Sequence, residues 1–71
     1  MNAAHLIRMA NRIGDFFVAM PDREQAVRDV ADHIARTWEP RMTRDLRAHV
    51  AAHGDADLSA IVRDGLVRLP P

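Results

Sequence analysis

The sequence predicts an all-α fold, a small bundle of three to four short helices. Two observations carry that expectation. Apolar residues recur at spacings of three and four through most of the 71 residues, and no stretch alternates with the period of two that a strand requires. Pro21, Pro40 and Gly54 then cut the chain into helix-length pieces, at places where helices characteristically start or stop.

The first helix is expected from about Ala3 to Ala19. Leu6, Met9, Ala10, Ile13, Phe16, Phe17 and Met20 form its main apolar face, and Pro21 breaks the chain. A second helix starts behind Asp22, which can cap it, with Gln25 placed to complete a capping box. Its stripe is Val27, Val30, Ala31, Ile34 and Trp38. The segment Trp38-Glu39-Pro40-Arg41-Met42 forms a corner, because proline drives the residue before it out of the helical region and is itself favoured at the first helical position. The third helix therefore begins at Pro40 and runs to about His53, with Met42, Leu46, His49, Val50 and His53 on one side and Gly54 as its stop. After Asp55-Ala56-Asp57, a short fourth helix carries Leu58, Ile61, Val62, Leu66 and Leu69. Ser59 or Asp57 would cap it, Gly65 weakens it by about 1 kcal/mol relative to Ala, and Pro70 and Pro71 end it. Short loops suggest that sequence neighbours pack as hairpins. Phe16, Phe17, Ile34 and Leu46 are expected to hold the helices together in one domain spanning residues 1–71.

Composition narrows the function. A chain this short buries only about 60% of its unfolded surface, and small folds often add disulfides, a metal or a partner. There is no cysteine, which excludes disulfides and thiolate metal sites and is consistent with the cytoplasm. A partner is the remaining source of stability. Ten arginines balance ten acidic residues, so net charge gives no case for nucleic acid or an anionic membrane. The bulky apolar run Phe16-Phe17-Val18, extended by Ala19-Met20, is far short of the roughly 20 residues that span a bilayer. Arg8, Asn11 and Arg12 interrupt any secretory apolar core near the N-terminus. All the basic residues apart from histidine are arginine, which reads either as GC-rich codon usage or as selection for bidentate contacts.

The candidate chemistry is thin. His49 and His53 lie four apart and could share a metal, but no third ligand accompanies them, and a half-exposed or satisfied pair is the better reading. The three glycines are isolated, so there is no phosphate loop, and Ser59 is the only serine. The carboxylates fall mostly on solvent faces or at helix starts. Two features remain. Ile7, Gly14 and Val18 form a second stripe on the first helix, roughly 100° from the main one, which is covered either by the fourth helix or by another protein. Arg41, Arg44 and Arg47 make a basic ridge on the third helix, which is either a solvated face or a docking surface for an acidic partner or for carbonyls.

Three stretches together resemble a family. Leu6-Ile7-Arg8-Met9-Ala10-Asn11 with Ile13-Gly14, Phe16-Phe17 and Pro21, then Trp38-Glu39-Pro40-Arg41-Met42, then Leu58-Ser59 with Ile61-Val62-Arg63, are similar to the delta subunit of soluble, NAD-dependent, molybdenum-containing formate dehydrogenases. The resemblance implies a non-catalytic, cytoplasmic accessory subunit in a hetero-oligomer. It would bind the large molybdenum-containing subunit and support its assembly, stability or cofactor maturation. Molybdopterin, iron–sulfur clusters, FMN and NAD would all lie in partner subunits, with no catalytic, cofactor-binding or metal residue in this chain.

The residues expected to touch the partner are Ile7, Gly14 and Val18 from the second stripe, Trp38, Pro40, Arg41 and Met42 from the corner, and Arg44 from the ridge. Of these, Trp38 leans toward the chain's own core and Arg41 toward the partner. The alternatives are a small helical regulatory or nucleic-acid-binding domain and a self-associating bundle.

Overall fold

The computed structural model describes residues 2–70, so Met1 and Pro71 lie outside it, and with Pro71 one of the two prolines expected to end the chain. Four helices follow in order: α1 (Ala3–Phe17), α2 (Arg23–Thr37), α3 (Pro40–His53) and α4 (Ala60–Arg68). No strand occurs among the described residues.

The boundaries follow local chemistry. Asn2 caps α1, accepting a hydrogen bond from the His5 N–H at 3.3 Å. Asp22 caps α2, accepting from the Gln25 N–H at 3.1 Å. The expected capping box is only half made, because the Gln25 side chain turns along the helix and donates to Asp29 instead. Trp38 and Glu39 are both extended, and Pro40 opens α3. Gly54 ends α3 with φ of 88°, a backbone conformation that disfavours any side chain.

The helices do not pack as a row of hairpins. α2 packs most extensively on α4, and α1 touches all three other helices, whereas α3 packs chiefly on α1. The extended two-residue corner sends α3 away from α2, and α4 takes the place beside α2 that α3 would have filled. Two glycines seat α4. A Cβ at Gly14 of α1 would lie 2.7 Å from Val62 Cγ2, and one at Gly65 of α4 would lie 2.8 Å from Val30 Cγ1 of α2. Gly65 is therefore a point of close approach between helices, and the helix propensity lost there is exchanged for contact with α2.

One core runs through all four helices. Leu6, Ile34, Leu46, Ile61, Val30 and Val62 are its largest fully buried side chains. Ile34 and Leu46 hold the helices as expected, Phe17 is half-buried, and Phe16 is 78% exposed. The placement of Phe16 corrects the sequence expectation. At about 100° per residue it sits some 80° round α1 from Leu6, whereas Phe17 sits within some 20°. Phe16 therefore falls off the edge of the buried face and packs edge-on against Phe17, with ring centroids 5.0 Å apart.

Candidate docking surface

Helix α1 has a covered flank and a bare one. The covered flank is that of the second stripe at Gly14, which lies against Val62, Ile61 and Ser59 of the α4 region. Asn11 clamps the same junction. Its amide nitrogen donates to the Asp57 carbonyl, and its amide oxygen accepts from the Ser59 N–H, both at 2.9 Å. The Asn11 side chain thus satisfies a donor at the start of α4, which Ser59 does not do, since its own hydroxyl is buried without a partner. Asparagine is unfavourable inside a helix unless its amide has work elsewhere, and that was the available signal in the sequence.

The end of α4 is held from α3. Arg47 donates through Nη1 to the Pro70 carbonyl at 2.8 Å and through Nη2 to the Leu69 and Leu66 carbonyls at 2.9 and 3.3 Å. A guanidinium on the exposed carbonyls of a helix C-terminus satisfies acceptors and complements the helix dipole. The basic ridge of α3 is therefore two residues, not three. Arg41 stands 3.8 Å from Glu39 at the surface. Arg44 is exposed and makes no ion pair among the described residues.

The expected docking residues separate by burial. Gly14 is buried beneath α4, and Trp38, 6% exposed at the end of the α2 stripe, shows only an edge to the hollows beside it. Gly14 is enclosed because its missing side chain admits α4, and Trp38 because the extended corner folds it inward. Ile7 is half-buried and packs against the core, while Val18 is exposed just beyond α1. Pro40, Arg41 and Arg44 are exposed, and Met42 is half-buried against the core.

Two open hollows flank Trp38. One, of about 500 Å3, lies at the corner, where Pro40, Arg44 and Arg47 face Leu69 and Pro70. The other, of about 570 Å3, runs between the bare flank of α1 and the second half of α2. Its walls are apolar at Met9, Ile13, Phe16, Phe17 and Trp38, and basic at His5, Arg8 and Arg12. Helical periodicity, which groups Phe16 with the core, gives no sign of this groove. His33 lies in the groove beside Phe17, with ring centroids 6.0 Å apart. The rings of His49 and His53 on α3 lie 4.8 Å apart, tilted by 41°, and no group of three or more His, Asp or Glu placed to hold a metal occurs among the described residues. No helix among the described residues is long and apolar enough to cross a membrane.

Comparison with known proteins agrees with the motif-bearing stretches. No curated protein and no solved structure matches the chain. The family described as the NADH-dependent formate dehydrogenase delta subunit, FdsD, matches residues 5–66, a span that takes in the α1 flank clamped to α4, the corner at Trp38 and most of α4. By that match over most of its length, the chain belongs to the FdsD family of formate dehydrogenase delta subunits.

Proposed function

We propose that the chain is a non-catalytic accessory subunit of a cytoplasmic, NAD-dependent formate dehydrogenase, which binds the large molybdenum-containing subunit and supports its assembly, stability or cofactor maturation. The observation that carries this reading is the family match across residues 5–66. Molybdopterin, iron–sulfur clusters, FMN and NAD are assigned to the partner subunits. This chain has no cysteine to ligate a cluster and no glycine-rich loop to cradle a nucleotide.

The proposed contact is the corner. Pro40, Arg41 and Arg44 are exposed beside a hollow, on a backbone fixed by Pro40 and by the buried Trp38. Met42 is half-buried against the core, and Ile7 on α1 and the exposed Val18 just beyond it are kept as further candidate contacts. Gly14 and Trp38 act indirectly, by setting the shape of the surface. An arginine offers five donors in a planar fork, suited to carboxylates and carbonyls of a protein partner. Binding only the folded or cofactor-loaded state of the large subunit favours that state. The shift is about 2.7 kcal/mol when the free subunit is at 100 times its dissociation constant.

The test is co-expression of the formate dehydrogenase subunits with and without this chain. The reading expects the chain in the purified complex, and lower molybdenum content and formate-dependent NAD reduction when it is omitted. An enzyme assembled, loaded and active to the same degree without it would refute the role. Arg41→Glu with Arg44→Glu tests the corner, since both side chains are exposed and the fold does not depend on them.

A further inference from the structure

We infer that the groove between α1 and α2 is a second docking site, built to take an acidic amphipathic helix of the larger partner subunit. The inference rests on the reading above that such a partner exists, and it adds where the partner inserts and with what chemistry.

The groove combines an apolar floor with a one-signed rim. Met9, Ile13 and Phe17 are half-buried in it, and Phe16 stands exposed at one end. Phe16 is one of only three large apolar side chains exposed among the described residues, and the one of them that lines the groove. His5, Arg8 and Arg12 line the groove and no carboxylate does, although the chain as a whole is neutral. Arg8 and Arg12 make no hydrogen bond or ion pair among the described residues. Beyond Phe17, the carboxylates of Asp29 and Asp32 line a separate hollow together with Arg36.

These features select the occupant. Two copies of this chain meeting through the groove would bring like-charged rims together, so a second copy is disfavoured. An extended segment would find no sheet edge among the described residues to pair with, and its backbone groups facing the apolar floor would be cut off from water. A helix satisfies its own backbone and lays one apolar stripe on the floor, with anchors at i, i+3 or i+4, and i+7. From His5 to Phe16 the bare flank extends for about 16 Å at 1.5 Å per residue, three turns of such a helix. Carboxylates bordering its stripe would meet Arg8 and Arg12.

The experiment places a photoreactive benzoylphenylalanine at Phe16 in the co-expressed complex, with Val67, 83% exposed on α4, as the control position. In parallel, enzyme purified without this chain is titrated with the wild-type chain and with an Arg8→Glu/Arg12→Glu variant. The melting temperature of each variant is followed. The inference expects cross-links from position 16 to an acidic amphipathic helix of the large subunit, and affinity reduced at least tenfold by the double reversal with an unchanged melting temperature. Cross-links to a second copy or to a segment that is not acidic and helical overturn it, as does binding by the reversal variant within twofold of wild type. If the wild-type chain itself does not bind the enzyme, the reading of the chain as its subunit fails first, which is a distinct outcome.

Discussion

Replacing Gly14 with alanine tests the junction on which the fold turns. In an isolated helix, alanine in place of glycine is worth about 1 kcal/mol. Here the added Cβ would lie 2.7 Å from Val62 Cγ2, 3.0 Å from Ile61 Cγ2 and 3.1 Å from Ser59 Oγ. Carbon atoms in favourable contact stand about 3.5–4.0 Å apart, so the nearest contact is short by some 0.8 Å or more. Val62 is 0% exposed and cannot swing outward, so α4 must back away from α1 and strain the Asn11 clamp. Overpacking of this kind costs about 1–3 kcal/mol. Set against the propensity gain, the net is a destabilisation of about 0–2 kcal/mol, centred near 1. In a domain of this size that lowers the melting temperature by about 4–8 °C, readable from helical circular dichroism. The double variant Gly14→Ala/Val62→Ala removes the obstructing methyl and should cost less than the sum of the two single changes. A rise of several degrees for Gly14→Ala would refute the account, because that is how a glycine with nothing packed on it behaves.

Further changes separate structural from docking residues. Asn11→Ala, which removes both clamp hydrogen bonds, should cost about 1–3 kcal/mol and raise amide exchange at the start of α4. Arg47→Lys should not restore what Arg47→Ala loses in urea denaturation, since an ammonium cannot fork across three carbonyls. Ser59→Ala should be close to neutral in thermal melts because its hydroxyl has no partner, whereas Asp22→Ala should cost about 1 kcal/mol through loss of a formed cap. Arg41→Glu with Arg44→Glu should leave the melting temperature within a few degrees, the expectation for exposed side chains whose one ion pair, Arg41 with Glu39, lies at the surface.

Trp38 shows why burial has to be known before a docking test is designed. Truncating a buried tryptophan costs about 3–5 kcal/mol, a large part of the stability of any domain this small. A Trp38→Ala variant that fails to join a complex would report unfolding and say nothing about contact. Exposed Phe16, Arg41 and Arg44 do not have that defect.

What could be read in the sequence was whatever acts within one helix. Pro21, Pro40, Asp22 and Gly54 act on their own backbone, so the four helices and the corner were legible from them. The α2 stripe was legible because Val27, Val30, Ala31, Ile34 and Trp38 keep one period through the whole helix. Helix pairing was not legible. The choice of α4 rather than α3 as the neighbour of α2 depends on Gly14 and Gly65, which no periodicity marks, and on side chains that reach across 20 or more residues, as Asn11 and Arg47 do. Phe16 was misplaced for a related reason. Periodicity gives the direction of a side chain, and only the positions of the other helices decide whether anything lies in that direction. The groove is hidden from the sequence for the same reason.

The central claim is that this chain is a subunit of a formate dehydrogenase, and the most direct measurement is the intact mass of what co-purifies with it. With an affinity tag on the wild-type chain in its own cell, native mass spectrometry of the eluate should give a single assembly containing the large molybdenum-containing subunit at fixed stoichiometry. The chain recovered alone or only with copies of itself, while active formate dehydrogenase remains in the flow-through, would contradict the claim.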